Sequence, residues 1–416
     1  MDRQTIDDLD LKGKRVLTRV DFNVPLANGK VTDDTRIRGA LPTLKKIIGD
    51  GGKLILMSHL GRPKGQGAEP AYSLQPVAAH LSQLLGKEVK MAPDCIGEEV
   101  EKISNALQDG EVLMLENTRF HKAETKNDPE FAKKLASLGE VYVNDAFGAI
   151  HRAHASTEGV AKILKDSAAG YLLQAEIENL SKLIAAPEKP YVVILGGAKV
   201  SDKIQVIHNL ITKVGVMLIG GGMAYTFLRA KGIEIGDSIL DAEHLAMASN
   251  MLVVARNPHP YKKLKFMLPT DHLIARTAKE TEHRVCDAVA IPVGWKGVDI
   301  GPKTIADFKG EIATAKTVFW NGPMGIFEKD PFAAGTIEIA KAVAAATARG
   351  AFTVVGGGDS IAAIEKAAVT DKISHVSTGG GASLEFLAGL DLPGIMALAK
   401  AKKKPEAPKK AAEAAA

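Results

Sequence analysis

Arginines and a histidine recur at one kind of place in this sequence, directly after a short apolar run. The run at 15–20 (RVLTRV) is followed by Asp21, Phe22 and Asn23. The run at 53–57 (KLILM) leads into Ser58-His59-Leu60-Gly61-Arg62-Pro63. The run at 111–115 (EVLML) leads into Glu116-Asn117-Thr118-Arg119-Phe120. The run at 141–143 (VYV) precedes Asn144-Asp145 and then His151-Arg152-Ala153-His154. Arg36 falls nearby, in a segment that reads as a loop. Guanidinium groups gathered on one rim suit a ligand rich in carboxylate and phosphate oxygens, which they bind in bidentate fashion. Singly, each residue has a plainer reading. An arginine after a strand is a solvated charge, His59 a hydrogen-bonded core histidine, and His151 with His154 a metal pair that lacks a third ligand. The coincidence of several on one edge carries the argument.

The second half repeats the layout with different residues. Its apolar runs end in Gly196-Gly197-Ala198-Lys199, in Gly220-Gly221-Gly222, in Asn321-Gly322-Pro323 and in Gly356-Gly357-Gly358-Asp359, and a further triple glycine stands at 379–381. Lys203 follows Lys199 by four residues, a spacing that places both on one helical face. Glycines let backbone N–H groups approach an anion, and a helix N-terminus adds positive potential. A nucleoside diphosphate or triphosphate is the natural ligand. Asp359 is placed to help hold a Mg²⁺ that bridges phosphates. On this reading the glycines clear side chains from a nucleotide's path; the plainer reading is that they make tight turns.

The elements that must position these residues follow from hydrophobic patterning. Strands are expected at 15–20, 53–57, 111–115 and 141–143. In the second half they are expected at 191–195, 216–219, 265–268, 287–290, 317–320 and 352–355. Most are continuous apolar runs, as in strands covered on both faces of a parallel sheet. Helical periodicity fills the gaps, for instance at 74–85, so the expected class is doubly wound α/β. In such sheets ligands bind beyond the carboxyl ends of the strands. A helical stretch at 171–190 breaks at Pro187 and Pro190, and reads as a connection between two α/β domains.

The chain has 416 residues, 46% hydrophobic and 25% charged, enough for two sizeable cores. The net charge of +4 resides in the Ala/Lys/Pro-rich stretch from Lys400 onward; the remainder has 47 basic and 47 acidic residues. That balance excludes a generally basic nucleic-acid binder, the tail being a weak exception at most, and the tail's composition predicts disorder. Two cysteines, Cys95 and Cys286, give neither a disulfide framework nor zinc spacing, which points to a reduced, cytoplasmic setting. The polar start, MDRQTIDDLD, is not a signal-peptide pattern, and no apolar run reaches membrane-spanning length. There is no GxxxxGK[ST], no GxGxxG opening a helix after an early strand, and no GxSxG. A dehydrogenase loses its main support thereby. A nucleotide-switched binding protein would have no need for charges on both rims.

Eight stretches together resemble the phosphoglycerate kinase family: RVDFNVP (19–25), SHLGRP (58–63), ENTRFHKAETKND (116–128), NDAFGAIHRAHAST (144–157), GGAKVSDKI (196–204), WNGPMGIFE (320–328), VGGGDS (355–360) and HVSTGGGASLEFL (375–387). The resemblance implies two mostly parallel-sheet α/β domains joined by a helix, with a cleft between them. The acid-substrate domain would cover 1–172, the connecting helix 173–187 and the nucleotide domain 188–389, with 390–399 returning to the first domain. It implies a phosphotransferase with a carboxyl acceptor, working reversibly between 1,3-bisphosphoglycerate with ADP and 3-phosphoglycerate with ATP, with Mg²⁺, in a monomer. The family's acid-substrate residues correspond to Asp21, Asn23, Arg36, His59, Arg62, Arg119 and Arg152. Its nucleotide residues correspond to Lys199, Lys203, Gly297, Asn321, Glu328, Gly356, Gly357, Gly358 and Asp359, with Glu328 similar to the ribose contact. Catalysis is expected from Arg36, Lys199, Lys203 and the amides of 356–358 and 379–381, with Asp359 on the metal.

Overall fold

The structure, a computed structural model, describes residues 3–256, 264–279 and 282–400. The Lys-rich tail expected to be disordered lies outside the described residues. The chain divides into two compact units: one of residues 1–146, 152–174 and 393–416, the other of 147–151 and 175–392.

The first unit is built on a six-stranded sheet. Its order is Val89–Met91, Val112–Met114, Lys53–Met57, Arg15–Val20, Val141–Asp145 and Ser167–Ala169, every neighbour parallel. The chain starts on a central strand, Arg15–Val20, winds to one side and then to the other. The winding direction therefore reverses beside that strand, where the carboxyl ends leave a crevice. All five residues of Val141–Asp145 are buried, as are Leu54 to Met57, which explains the unbroken apolar runs. Helices cover the sheet, and two of them show their start and stop signals plainly. Helix Pro129–Ala136 begins on Asp128, whose Oδ1 accepts the Phe131 N–H at 2.9 Å. Helix Gln75–Leu85 ends on Gly86 at φ +62°. Helix Thr35–Gly49 contains Arg36 in its first turn, so that residue is helical rather than in a loop. The core joins Val16, Val20, Leu54, Leu56, Leu44 and Val143. Residues 393–400 lie with this unit; Gln4 N–H donates to the Ala399 carbonyl at 2.9 Å.

Helix Tyr171–Ala185 carries the chain into the second unit. There a second parallel six-stranded sheet has the order Lys265–Met267, Val216–Ile219, Tyr191–Leu195, Thr317–Asn321, Phe352–Gly356 and His375–Ser377. The winding again starts centrally, on Tyr191–Leu195, and reverses between it and Thr317–Asn321. The core is Val192, Ile194, Leu218, Val318, Trp320 and their neighbours. A three-stranded antiparallel sheet, Arg284–Cys286, His272–Ala275 and Lys296–Ile300, is attached. The strand expected at 287–290 is not formed. The chain pairs through Arg284–Cys286 instead, in register with His272–Ile274, and bends after Cys286. Among the described residues no helix is long and apolar enough to cross a membrane.

Candidate active site

In the first unit the crevice is lined by the turns after three strands. Asn23 fixes one of them, since its Oδ1 accepts the Gly61 N–H at 2.8 Å. Asn117, fully buried, ties its own turn to the same one by donating to the carbonyls of Leu60 (2.8 Å) and, further on, Tyr72 (2.9 Å). On this frame Arg36 Nη1 pairs with Asp21 Oδ2 at 3.1 Å and with the Asn23 carbonyl at 3.2 Å. Arg119 Nη1 donates to the Gly61 carbonyl at 3.0 Å, while its Nε is buried with no partner among the described residues. Burial, together with the nearby charges of Arg19 and Arg152, depresses the Arg119 guanidinium to about 10. His59 is buried behind this rim, and burial, with Arg19, Arg119, Arg36 and His154 around it, holds its imidazole well below the usual range. The structure thus brings together Asp21, Asn23, Arg36, His59 and Arg119, with Arg152 close to Arg119. Arg62 is exposed on the turn that follows His59.

Sequence reasoning left Arg19 unassigned. It is fully buried in the central strand and its Nη2 lies 3.0 Å from His59 Nδ1. The signal was a charge inside the apolar run RVLTRV, since a fully buried arginine must have hydrogen-bond partners.

In the second unit a cavity of about 460 Å³ opens at the reversal point, a size that suits a small organic ligand. Its wall includes Gly297, Glu328 and Asp359 from the expected set, with Met324, Val298 and Tyr225 giving apolar surface for a flat ring. Lys203, Asn321 and Gly356 stand beside it as one linked group. Lys203 Nζ donates to Asn321 Oδ1, and Asn321 Nδ2 donates to the Gly356 carbonyl at 2.6 Å. Burial pushes the Lys203 ammonium below the usual lysine range, with Asp202 and Asp359 acting against that. The expected helical pairing of Lys199 with Lys203 is not present. The helix is Ile204–Leu210, and both lysines lie in the preceding turn, opened by Gly197 at φ +100°. Lys199 is exposed there.

The glycine triplets serve two ends. At Gly221, with φ +64°, a Cβ would meet the Gly197 nitrogen at 2.6 Å and the Pro323 carbonyl oxygen at 2.7 Å. The glycines at 220–222 therefore let three strand-end loops touch backbone to backbone, and Gly221 and Gly222 also form part of the cavity wall. Gly358, the first residue of helix Gly358–Lys366, has open space where its Cβ would be, and this one fits an approaching anion. Gly380, at φ +55° just before helix Gly381–Leu387, is also open. Among the described residues a cluster of three metal-type ligands, Asp94, Cys95 and His121, lies in the first unit. His121 Nε2 and Asp94 Oδ1 are hydrogen-bonded there at 2.7 Å. Asp359 stands outside that cluster, an exposed carboxylate on the cavity wall.

A cationic crevice and a cavity of small-ligand size flanked by a desolvated lysine, each at the switch point of a parallel sheet, fit a small-molecule phosphotransferase. The family model described as phosphoglycerate kinase matches residues 6–390, and the chain belongs to the phosphoglycerate kinase family. A cytosolic phosphoglycerate kinase of Triticum aestivum is 54% identical over 399 residues, covering 95% of this chain and 98% of the relative. That of Moorella thermoacetica is 55% identical, covering 96% and 99%. The solved phosphoglycerate kinase from Coxiella burnetii superposes with a TM-score of 0.84 at 41% identity, covering 95% and 98%. The activity is therefore transfer of a phosphoryl group between ATP and the carboxyl group of 3-phosphoglycerate.

Proposed function

We propose that Asp21, Asn23, Arg36, His59, Arg62, Arg119 and Arg152 bind the acid substrate, 3-phosphoglycerate or 1,3-bisphosphoglycerate. We propose equally that Lys199, Lys203, Gly297, Asn321, Glu328, Gly356, Gly357, Gly358 and Asp359 serve the nucleotide. The observation that carries this reading is the crowding of Arg19, Arg36 and Arg119 around the buried His59, three guanidinium groups with Asp21 and Glu124 as their nearby carboxylates. Such crowding is costly in the free protein and is relieved when an anion binds.

The acceptor carboxylate is ionised at pH 7, so the reaction needs no general base. Rate enhancement then comes from positioning and from stabilising charge on the transferring group. We assign this to Arg36 and Lys203, with Lys199 and the amides at 356–358 and 379–381. Glu328, on the cavity wall, is suited to accept from a ribose hydroxyl. Asp359 suits Mg²⁺, which takes one or two carboxylates plus phosphate oxygens. Bound there, the ion would neutralise phosphate charge. Cytoplasmic action fits two free cysteines and the cytosolic relative, and a monomer follows from the family resemblance.

An assay coupled to NADH oxidation, started with 3-phosphoglycerate and ATP, tests the assignment through single variants. Variants of the first set should change the KM for the acid or kcat, leaving the ATP KM nearly unchanged; those of the second set should do the reverse. An Arg119→Ala enzyme with unaltered 3-phosphoglycerate kinetics would defeat the acid-site assignment. Dependence on Mg²⁺ that is unaffected in Asp359→Ala would defeat the metal role.

A further inference from the structure

Behind the acid crevice runs a chain of buried hydrogen bonds that links Glu124 to His59. Glu124 is fully buried. Its Oε2 accepts the Ser156 backbone N–H at 2.9 Å and its Oε1 accepts the Ser156 hydroxyl at 2.5 Å. With its proton committed to the carboxylate, Ser156 Oγ can only accept from Arg19 Nε, 2.8 Å away. Arg19 Nη1 donates to the Val20 carbonyl, and Nη2 faces His59 Nδ1 at 3.0 Å. A guanidinium has donors and no acceptor. His59 Nδ1 must therefore offer its lone pair, and the ring proton must sit on Nε2.

We infer that Glu124, acting through Ser156 and Arg19, is a positioning residue that fixes His59 as the neutral tautomer protonated on Nε2, so that it presents one hydrogen-bond donor and no charge to the bound acid. This rests on the reading of His59 as an acid-substrate residue. The groups facing the ring agree with a neutral state: Arg19 from the central strand, Arg36 from helix Thr35–Gly49, Arg119 from the turn Thr118–Phe120, and His154. All are basic, and burial disfavours a further cation among them. A neutral donor adds direction without adding to the repulsion of the arginine rim. Glu124 supplies the buried negative charge that Arg19 needs, one residue removed, and so leaves the guanidinium nitrogen free to orient the imidazole.

The test is long-range ¹H–¹⁵N correlation of the full-length enzyme labelled in histidine at pH 7.5, with the His59 signals assigned by their loss in His59→Gln. The wild type should show Nε2 protonated and Nδ1 bare. Glu124→Gln and Ser156→Ala should each give a mixed tautomer population. Both should raise the KM for 3-phosphoglycerate about five- to tenfold, with a smaller change in kcat and none in the ATP KM. Should Glu124→Gln fail to fold, Ser156→Ala, which removes one oxygen, decides the matter. A wild-type His59 protonated on Nδ1, or on both nitrogens, overturns the inference, as does an unchanged tautomer in the folded variants. The acid-site reading fails separately, if His59→Gln and Arg119→Ala leave the 3-phosphoglycerate KM untouched whatever the spectrum shows.

Discussion

Arg36 Nη1 lies 3.1 Å from Asp21 Oδ2 and also reaches the Asn23 carbonyl, which uses both of its protons and holds the guanidinium plane in one orientation. Three N–H donors, on Nε and Nη2, stay available to a ligand. Preset donors aimed at developing charge are worth about 10²–10³ in rate. Arg36→Ala should lower kcat by that order with a smaller change in KM. Arg36→Lys should recover little, because an ammonium cannot both keep the Asp21 pair and offer a planar fork. Steady-state kinetics in both substrates check this; an Arg36→Ala enzyme with most of its kcat would remove Arg36 from the chemistry.

Asn321 spans two strand ends, accepting from Lys203 and donating to Gly356 at 2.6 Å. Asn321→Ala removes the orientation of the ammonium and leaves the Gly356 carbonyl buried without that donor. A stability loss of about 1–3 kcal/mol is expected from the second effect. Loss of aim at Lys203 should lower kcat by about tenfold or more. Asn321→Asp, which keeps the acceptor and loses the donor, should retain more kcat than Asn321→Ala. Equal kcat in the two variants would show that Lys203 needs no help from residue 321.

Parallel strands buried on both faces were readable because nothing polar interrupts them; Tyr191–Leu195 and Val216–Ile219 stand where the runs predict. Ser167–Ala169 and His375–Ser377, three residues each at the sheet edges, carry too little apolar content to stand out. The run at 287–290 looked strand-like, yet Val285 is the residue that pairs with Leu273, and it does so exposed. Most of the residues proposed for the site could be seen because they follow strands. The relay from Glu124 to His59 could not, since its successive links join residues 32, 137 and 40 positions apart in the chain through hydrogen bonds that no local pattern encodes. Arg36 was misread as loop although Asp34 before Thr35 is a helix-start signal.

The two kinds of glycine give opposite expectations. Gly221→Ala must relieve a left-handed φ and a clash with the Gly197 and Pro323 backbones, so a loss on the order of 2–4 kcal/mol is expected, seen as a lower Tm. Gly358→Ala meets nothing in the protein and should leave Tm unchanged or slightly raised. Its ATP KM should nevertheless rise if phosphate oxygens approach that helix end. An unchanged ATP KM in Gly358→Ala would mean that the nucleotide passes elsewhere.

Asp145 closes the central part of the first sheet, fully buried, with Oδ1 accepting the Leu173 N–H at 3.1 Å in the first turn of helix Tyr171–Ala185. Its Oδ2 is buried without a hydrogen-bond partner among the described residues. Burial raises the carboxyl to about 6, against the opposing pull of the Thr43 hydroxyl and the Leu173 and Leu172 amides. Between the ordinary carboxyl range and about 6 the folded chain therefore binds a proton that the unfolded chain has released. Stability must fall as pH rises through that window, by on the order of 3 kcal/mol from this group. Asp299, raised to about 7 by burial, adds a loss of the same sign that runs slightly higher in pH. Asp145→Asn keeps an acceptor for Leu173 and cannot ionise. Urea unfolding from pH 4.5 to 7.5 should then give a wild-type curve that declines more steeply than the variant's, the difference levelling off above about pH 7. Parallel curves would mean that Asp145 is ionised in the fold at all these pH values, and that the helix start supplies more compensating charge than its burial removes.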